Sequence, residues 1–305
     1  MPGRPLLPWQ QAWDQALYGP AGFYRRPEGP AGHFRTAAHA GAADLAAALG
    51  RLAGELGCTA IVDVGAGRGE LLNALNGLTG SPLRLHGVDV VPRPSGLPAA
   101  VGWSAGLDAP GAQLDHALDG ALVIGWELLD VVPTPILELD DDGVARVLLV
   151  EPATGQEEWG EAASPADQAW CERWWPIGER SDGDRIEVGA PREQFWAGLV
   201  SRATGAGAGA LLAVDYTHRR EDRPALGSLT GFRAGRAVPP RPDGSMDLTT
   251  HVAIDAVAAA GSAAGASSST LTRQGEALRA LGVTRAELLD PGGLGGFSWL
   301  LQSLR

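Results

Sequence analysis

Short apolar runs alternate with segments of helical periodicity along most of the chain. The apolar runs predict buried strands at 59–64, 83–88, 99–103, 121–125, 210–216 and 296–302. The periodic segments predict helices at 9–18, 37–56, 191–204, 249–260 and 273–289, with another beginning at residue 70. Strands that alternate with helices are typical of a parallel sheet with helices on both faces. We therefore expect a Rossmann-like α/β fold built on a seven-stranded sheet.

An insertion interrupts this alternation between about residues 131 and 190. Within it, apolar runs at 136–139 and 144–150 flank Asp140–Gly143, a sequence typical of a hairpin turn. A Trp-rich segment at 166–175 predicts a helix. The insertion is thus expected to form a subdomain of one hairpin and one helix.

The pattern divides the chain into two parts. Residues 1–58 are expected to form a helical segment packed on the core, and residues 59–305 the main domain with its insertion. Residues 217–247 are rich in Pro, Arg and Gly and predict a long loop.

Composition and charge narrow the possible functions. The net charge of −12 and the absence of a basic run argue against a nucleic-acid partner. Two distant cysteines, Cys58 and Cys171, predict buried free thiols and no metal site. No stretch is long and apolar enough to span a membrane, and the first ten residues lack a signal-peptide core. We expect a cytoplasmic protein, either monomeric or homodimeric.

The strongest local signal for a ligand is the segment DVGAGRG at residues 63–69. Glycine allows a ligand to approach the backbone closely at the end of a strand. A dinucleotide-binding fingerprint needs a small residue at its sixth position, where this chain has Glu70, so an NAD(P)-dependent oxidoreductase is disfavoured. The alternative without a ligand is a Gly-rich turn of the kind found in any α/β protein.

The pattern of Asp63 followed by Gly65, Gly67 and Gly69 resembles motif I of methyltransferases that use S-adenosylmethionine (SAM). That resemblance implies that the acid helps to hold the cationic amino-acid end of SAM. Asp89 ends the next predicted strand and could accept the ribose hydroxyl protons, although an exposed acid at a strand end is also common.

Two acids, Glu127 and Asp130, follow the fourth predicted strand. A carboxylate at this position could bind a cationic methyl acceptor and take up its proton. The structural alternative is that one of the two caps the following turn, and this suits Asp130 better because Pro133 is close behind it.

Taken together, eight segments resemble the MidA-like family of SAM-dependent methyltransferases. They occur in the order of that family at 18–24, 32–36, 62–71, 126–133, 212–216, 228–233, 247–252 and 272–276. The mitochondrial members of the family assist the assembly of respiratory complex I and act as protein arginine methyltransferases. The resemblance implies a class I methyltransferase fold, SAM as the cofactor and a cofactor contact from Thr36.

The chain departs from the family pattern at positions that, by the resemblance, lie on the acceptor side or over the mouth of the SAM site. Trp126 replaces an Asn, Leu128–Leu129 replace two Phe residues, and His33 replaces an Asp. Three hypotheses therefore stay open. The protein methylates a protein side chain such as arginine, it methylates the oxygen or nitrogen of a small molecule, or it is a catalytically idle binding or assembly protein.

Overall fold

The structure is a computed structural model that describes residues 5–26, 37–78, 82–107, 112–176 and 181–305, with the backbone alone for 37–40 and 112. The chain forms two compact units, and each is assembled from separate stretches of sequence. Unit 1 consists of Met1–Phe34, Asp130–Phe195 and Thr217–Val257. Unit 2 consists of Arg35–Leu129, Trp196–Tyr216 and Ala258–Arg305.

The helices and strands of the described residues are numbered here in chain order. The helices are α1 (Trp9–Tyr18), α2 (Ala37–Glu55), α3 (Glu70–Asn76), α4 (Ala112–Leu118), α5 (Pro165–Trp174), α6 (Ala190–Gly205), α7 (Ile254–Ala263), α8 (Gln274–Ala280) and α9 (Ala286–Leu289). The strands are β1 (Leu7–Pro8), β2 (Ala60–Val64), β3 (Arg84–Asp89), β4 (Gly102–Ala105), β5 (Ala121–Trp126), β6 (Ile136–Leu139), β7 (Ala145–Val150), β8 (Glu157–Ala162), β9 (Arg185–Glu187), β10 (Ala210–Asp215), β11 (Thr217–His218), β12 (Thr230–Arg233), β13 (Arg236–Val238), β14 (Asp247–Thr249), β15 (Val252–Ala253), β16 (Ser268–Arg273) and β17 (Ser298–Ser303).

Unit 2 contains a seven-stranded sheet in the order β16-β17-β10-β5-β2-β3-β4. The strands from β10 to β4 pair in parallel, and β17 runs antiparallel between β10 and β16. The direction of strand order reverses between β2 and β5. In open α/β sheets a ligand binds at this reversal, outside the carboxyl ends of the strands. The predicted Rossmann-like fold is confirmed.

The core of unit 2 forms because its central strands are apolar on both faces. Every residue of β2 and β10 is buried, as expected for strands covered by helices on both sides. In α2, the stripe of Leu45, Leu49 and Leu52 packs into the same hydrophobic cluster as β-strand residues such as Ile61 and Leu212. This packing holds β2 in place in the sheet, and the Gly-rich segment begins directly after it.

Unit 1 contains an antiparallel sheet in the order β1-β7-β6-β9, and β8 also pairs with β7. The predicted hairpin is confirmed as β6 and β7. Its turn is held by Asp140, whose Oδ1 accepts hydrogen bonds from the backbone N–H groups of Asp142 and Val144. The Oδ2 atom of Asp140 forms an ion pair with Arg146. The side chain thus replaces backbone partners that the turn cannot supply.

Four Trp residues of unit 1 belong to its core. Trp9 and Trp13 of α1 are buried in one hydrophobic cluster, and Trp170 and Trp175 are buried in another. The Trp-rich helix of the insertion therefore contributes packing, which is the usual fate of large aromatic side chains.

The prediction of a long loop at 217–247 is wrong. This stretch contains β11 to β13 and the first residue of β14, and β12 pairs with both β13 and β14. The turn between β12 and β13 uses Ala234 and Gly235 in the left-handed region, with φ of 50° and 76°. Strands of two to four residues are too short to produce a recognisable alternation, so composition alone suggested a loop.

Two other predictions of elements need correction, and one strand was not predicted. The single helix at 273–289 is two helices, because Gly282 has a φ of 81° after α8. The third strand was predicted at 99–103, but it begins later, as β4 (Gly102–Ala105). The sequence pattern did not predict β16, because its Ser and Thr residues lie mostly exposed at the edge of the sheet.

The predicted N-terminal segment at 1–58 divides between the two units. Residues of α1 pack in the core of unit 1, whereas α2 packs in the core of unit 2. Both cysteines, Cys58 and Cys171, are buried free thiols as predicted. Among the described residues, no helix has the length and apolar character needed to cross a membrane.

Candidate functional site

The Gly-rich segment connects β2 to α3 through three left-handed residues. Gly65, Gly67 and Gly69 have φ values of 78°, 57° and 77°, a region that L side chains rarely adopt. A Cβ at Gly65 would lie 2.8 Å from Leu128 Cδ1, and a Cβ at Gly69 would lie 2.7 Å from Leu97 Cδ1. A Cβ at Gly67 would meet nothing closer than Glu70 Oε2 at 3.9 Å. The left-handed backbone therefore favours glycine at all three positions, a Cβ at the first or third would displace the tip of a leucine side chain, and Gly67 is the least crowded of the three.

Asp89 at the end of β3 is tied to this segment. Its Oδ2 accepts a 2.7 Å hydrogen bond from the backbone N–H of Gly67, and its Oδ1 accepts one from Val91. Burial raises the pKa of this carboxyl, and the same N–H donors partly offset the rise. The structure thus places the Asp89 carboxylate directly beside the backbone of Gly67.

Asp63 lies within β2 and is only 4 % exposed. Burial raises its pKa to about 8, with additional contributions from the negative charges of Asp89 and Glu70. At neutral pH this carboxyl is therefore mostly protonated in the protein without ligand. A cation bound beside it would favour the ionised form, so its proton would leave when such a ligand binds.

Glu127 follows β5 directly and has a left-handed backbone, with a φ of 51°. This conformation is uncommon for a residue other than glycine and carries a strain of about 1–3 kcal/mol. Its N–H donates a 2.8 Å hydrogen bond to the carbonyl of Val214 in β10, so the β5–β10 pairing extends as far as this residue. The chain then turns sharply at the carboxyl end of the strand.

Asp215 holds the turn that follows Glu127. It is fully buried at the end of β10, and its Oδ2 accepts hydrogen bonds from the backbone N–H groups of Leu128 at 3.3 Å and Leu129 at 2.8 Å. The sequence showed Asp215 only as the acid that closes a strand. Asp215 is separated from Leu129 and Leu128 by 86 and 87 positions in the chain. No local sequence pattern indicates a contact over such a distance.

Aromatic side chains line the same end of the unit 2 sheet. The rings of Trp126 and Trp299 meet edge to face, with centroids 5.7 Å apart. The rings of Tyr216 and Phe297 lie 4.0 Å apart, and Tyr216 is partly exposed. The indole Nε1 of Trp126 is buried and has no hydrogen-bond partner in the part of the chain that the structure describes.

Six of the eight predicted site residues lie in unit 2. These are Asp63, Gly65, Gly67, Gly69, Asp89 and Glu127. Asp130 belongs to unit 1, where it is buried and its carbonyl accepts hydrogen bonds from Thr250 N–H and Arg192 Nη2. Thr36 and His33 lie outside the described residues.

Comparison with known proteins gives a family and a fold. The model of the Methyltransf_28 family, described as "Putative S-adenosyl-L-methionine-dependent methyltransferase", matches residues 92–272, more than half of the chain. No curated protein matches the chain.

Two solved structures from Burkholderia thailandensis resemble the whole chain. One was crystallised bound to S-adenosyl-homocysteine; it is 23 % identical, with a TM-score of 0.75, over 98 % of this chain and 88 % of that one. The other is an uncharacterized protein of the same superfamily in its native form; it is 22 % identical, with a TM-score of 0.74, over 98 % of this chain and 87 % of that one. At these identities the likeness shows a shared fold.

Proposed function

Because this chain belongs to the Methyltransf_28 family of S-adenosyl-L-methionine-dependent methyltransferases, we propose that it methylates a nitrogen of a protein side chain, with the guanidinium group of arginine as the acceptor. When bound, SAM supplies a methyl carbon that the adjacent sulfonium makes electrophilic. The protein then has to hold the cofactor, orient the acceptor nitrogen and take up one proton.

The residues around the Gly-rich segment fit a nucleoside with a cationic amino-acid tail. A Cβ at Gly67 would meet only Glu70 Oε2, at 3.9 Å, so the backbone there is not crowded, and each oxygen of Asp89 has remaining capacity to accept a ribose hydroxyl. Asp63 provides a buried carboxyl that can pair with an ammonium group. The family match begins at residue 92, after these residues, so their assignment is supported by geometry and by the motif in the sequence.

Glu127 is the residue that we assign to the acceptor. A guanidinium is a poor nucleophile because its charge is delocalised and its pKa is very high. Hydrogen bonds from two of its nitrogens to the Glu127 carboxylate would localise the charge there, which leaves the third nitrogen more nucleophilic. After methylation the guanidinium group carries one excess proton, which the same carboxylate takes from one of the two nitrogens that it contacts and passes to solvent.

One observation carries this assignment: the strained backbone of Glu127 at the carboxyl end of β5. The left-handed conformation is held by the hydrogen bond to Val214 and by the contacts of Asp215 with the two residues that follow. Strain that the surroundings maintain in this way is typical of functional positions. The net charge of −12 also favours encounter with a basic protein acceptor.

The test separates binding from transfer. We expect Glu127→Gln to bind S-adenosyl-homocysteine within about twofold of the wild type in titration calorimetry. Transfer of a labelled methyl group into lysate protein should fall by a factor of about 100 or more, because a positioned acid–base group contributes that much. Glu287→Gln, which changes an exposed acid in α9, is the matched control and should behave as the wild type. Normal transfer by the Glu127→Gln protein would show that the role is wrong.

The same assay decides the acceptor. Label recovered as methylarginine after acid hydrolysis of the protein fraction supports the proposal. Label that appears only in small molecules would replace it with the small-molecule alternative. Binding of S-adenosyl-homocysteine without transfer to any fraction would identify an idle binding protein. The cytoplasmic location and the monomeric or homodimeric state stay predictions.

A further inference from the structure

The indole N–H of Trp126 is a buried donor without an acceptor in the described part of the chain. An indole nitrogen can only donate a hydrogen bond, and a buried donor left unbonded is costly. The ring is held edge to face against Trp299, which is itself buried. Trp126 therefore has little freedom to turn its N–H toward another acceptor.

Trp126 lies on the same face of the sheet as Asp63. Asp63 of β2 pairs with Ile124 of β5, and side chains two residues apart on a strand point to the same face. Trp126 is thus on the strand next to Asp63 and two residues nearer the carboxyl edge. From the spacing of strands and residues, the two Cβ atoms are about 8 Å apart. At that separation, one small group that carries both a donor and an acceptor can contact the two side chains together.

We propose that the Nε1–H of Trp126 donates a hydrogen bond to the carboxylate at the amino-acid end of the cofactor, while Asp63 pairs with the ammonium group of the same end. This assignment rests on the proposed function. A donor-only group requires an acceptor, so the ammonium is excluded as its partner. The ribose is excluded by position, because Asp89 lies on β3, two strands or about 10 Å away from β5.

The proposal also explains a departure from the family pattern. At the position of Trp126 the related motif has Asn, whose amide both donates and accepts. The substitution keeps a donor and removes the acceptor, and it adds an aromatic ring that packs on Trp299. A carboxylate needs the donor alone.

The experiment compares two ligands that differ in the amino-acid end. S-adenosyl-homocysteine has it, and 5′-methylthioadenosine lacks it. For Trp126→Phe, calorimetry should show a loss of about 10- to 100-fold in affinity for S-adenosyl-homocysteine, as expected for one hydrogen bond to a charged group. Its affinity for 5′-methylthioadenosine should stay within about twofold of the wild type. Trp196→Phe is the control, because the Trp196 N–H already donates to Gln302 Oε1 at 2.7 Å in unit 2; both ligands should bind it as they bind the wild type.

A measurement on the unmodified ring complements the variant. In ¹⁵N-labelled wild-type protein, S-adenosyl-homocysteine should shift the Nε1–H signal of Trp126 downfield, and 5′-methylthioadenosine should not. Equal loss of affinity for both ligands, or an unshifted signal, would overturn the assignment of Trp126 alone. Failure of the folded wild-type protein to bind S-adenosyl-homocysteine at all would overturn the proposed function together with it.

Discussion

Replacing Asp63 by Asn should stabilise the ligand-free protein, and the gain should grow with pH. The pKa of Asp63 is raised from 3.8 to about 8 in the folded protein. A group with a raised pKa holds its proton more tightly in the folded state than in the unfolded state. The stability that it contributes is therefore complete below pH 4 and is lost as the pH rises to about 8. Asn is almost the same shape as the protonated acid and has no proton to lose.

The magnitude follows from the shift in pKa. Each pH unit between about 4 and 8 removes about 1.4 kcal/mol from the unfolding free energy of the wild type. At pH 7.5 the accumulated loss reaches about 5 kcal/mol as an upper limit, and relaxation around the buried acid reduces it. We expect Asp63→Asn to be more stable than the wild type by about 2–5 kcal/mol above pH 8, and by little at pH 4.

Urea denaturation of the wild type and the variant at several pH values from 4 to 9 measures this difference. Glu55→Gln, which changes an exposed acid at the end of α2, is the control and should give a nearly constant difference. Asp89 is present in all three proteins, so most of its own titration cancels. Parallel stability curves for the wild type and Asp63→Asn would show that Asp63 is ionised in the folded protein, and the reasoning would fail.

Two further substitutions test the turn after β5 and the Gly-rich segment. Asp215→Ala leaves two backbone N–H groups unbonded, so we expect a loss of about 3 kcal/mol in urea denaturation; Asp215→Asn, which keeps one acceptor oxygen, should recover part of it, and equal stability of the two would contradict the role. Gly67→Ala should lower the unfolding free energy by about 1–2 kcal/mol, because alanine disfavours the left-handed backbone. It should also lower the affinity for S-adenosyl-homocysteine in calorimetry. The control, Gly54→Ala in α2, has open space around it and should leave affinity unchanged.

The part of the site that the sequence predicted is encoded locally. Residues 63–69 contain the end of β2 and the left-handed turn, and α3 begins at the next residue. Local steric rules suffice for such a segment, since only glycine meets the required backbone angles. The position of Asp89 also followed from local reasoning, because parallel strands in a doubly wound sheet end at the same edge.

The parts that the sequence did not predict depend on contacts distant in the chain. The role of Asp215 requires β10 to lie beside β5, with the donors 86 and 87 residues away. The two units interleave three stretches of sequence each, so no single change in composition marks a boundary. The strand β16 is polar because its edge position leaves it exposed. Its pairing with β17 through backbone hydrogen bonds places it in the sheet.

Three features at the carboxyl edge of the unit 2 sheet each carry a cost in the ligand-free protein. Asp63 keeps a proton at neutral pH, Glu127 has a left-handed backbone, and Trp126 buries an unbonded N–H. Core packing explains none of them, because an apolar residue or a glycine at the respective position would avoid the cost. A ligand with an ammonium and a carboxylate would relieve the first and the third together. Removing the cost at Asp63 should therefore raise stability in either case, but it should lower the affinity for S-adenosyl-homocysteine only if Asp63 serves binding.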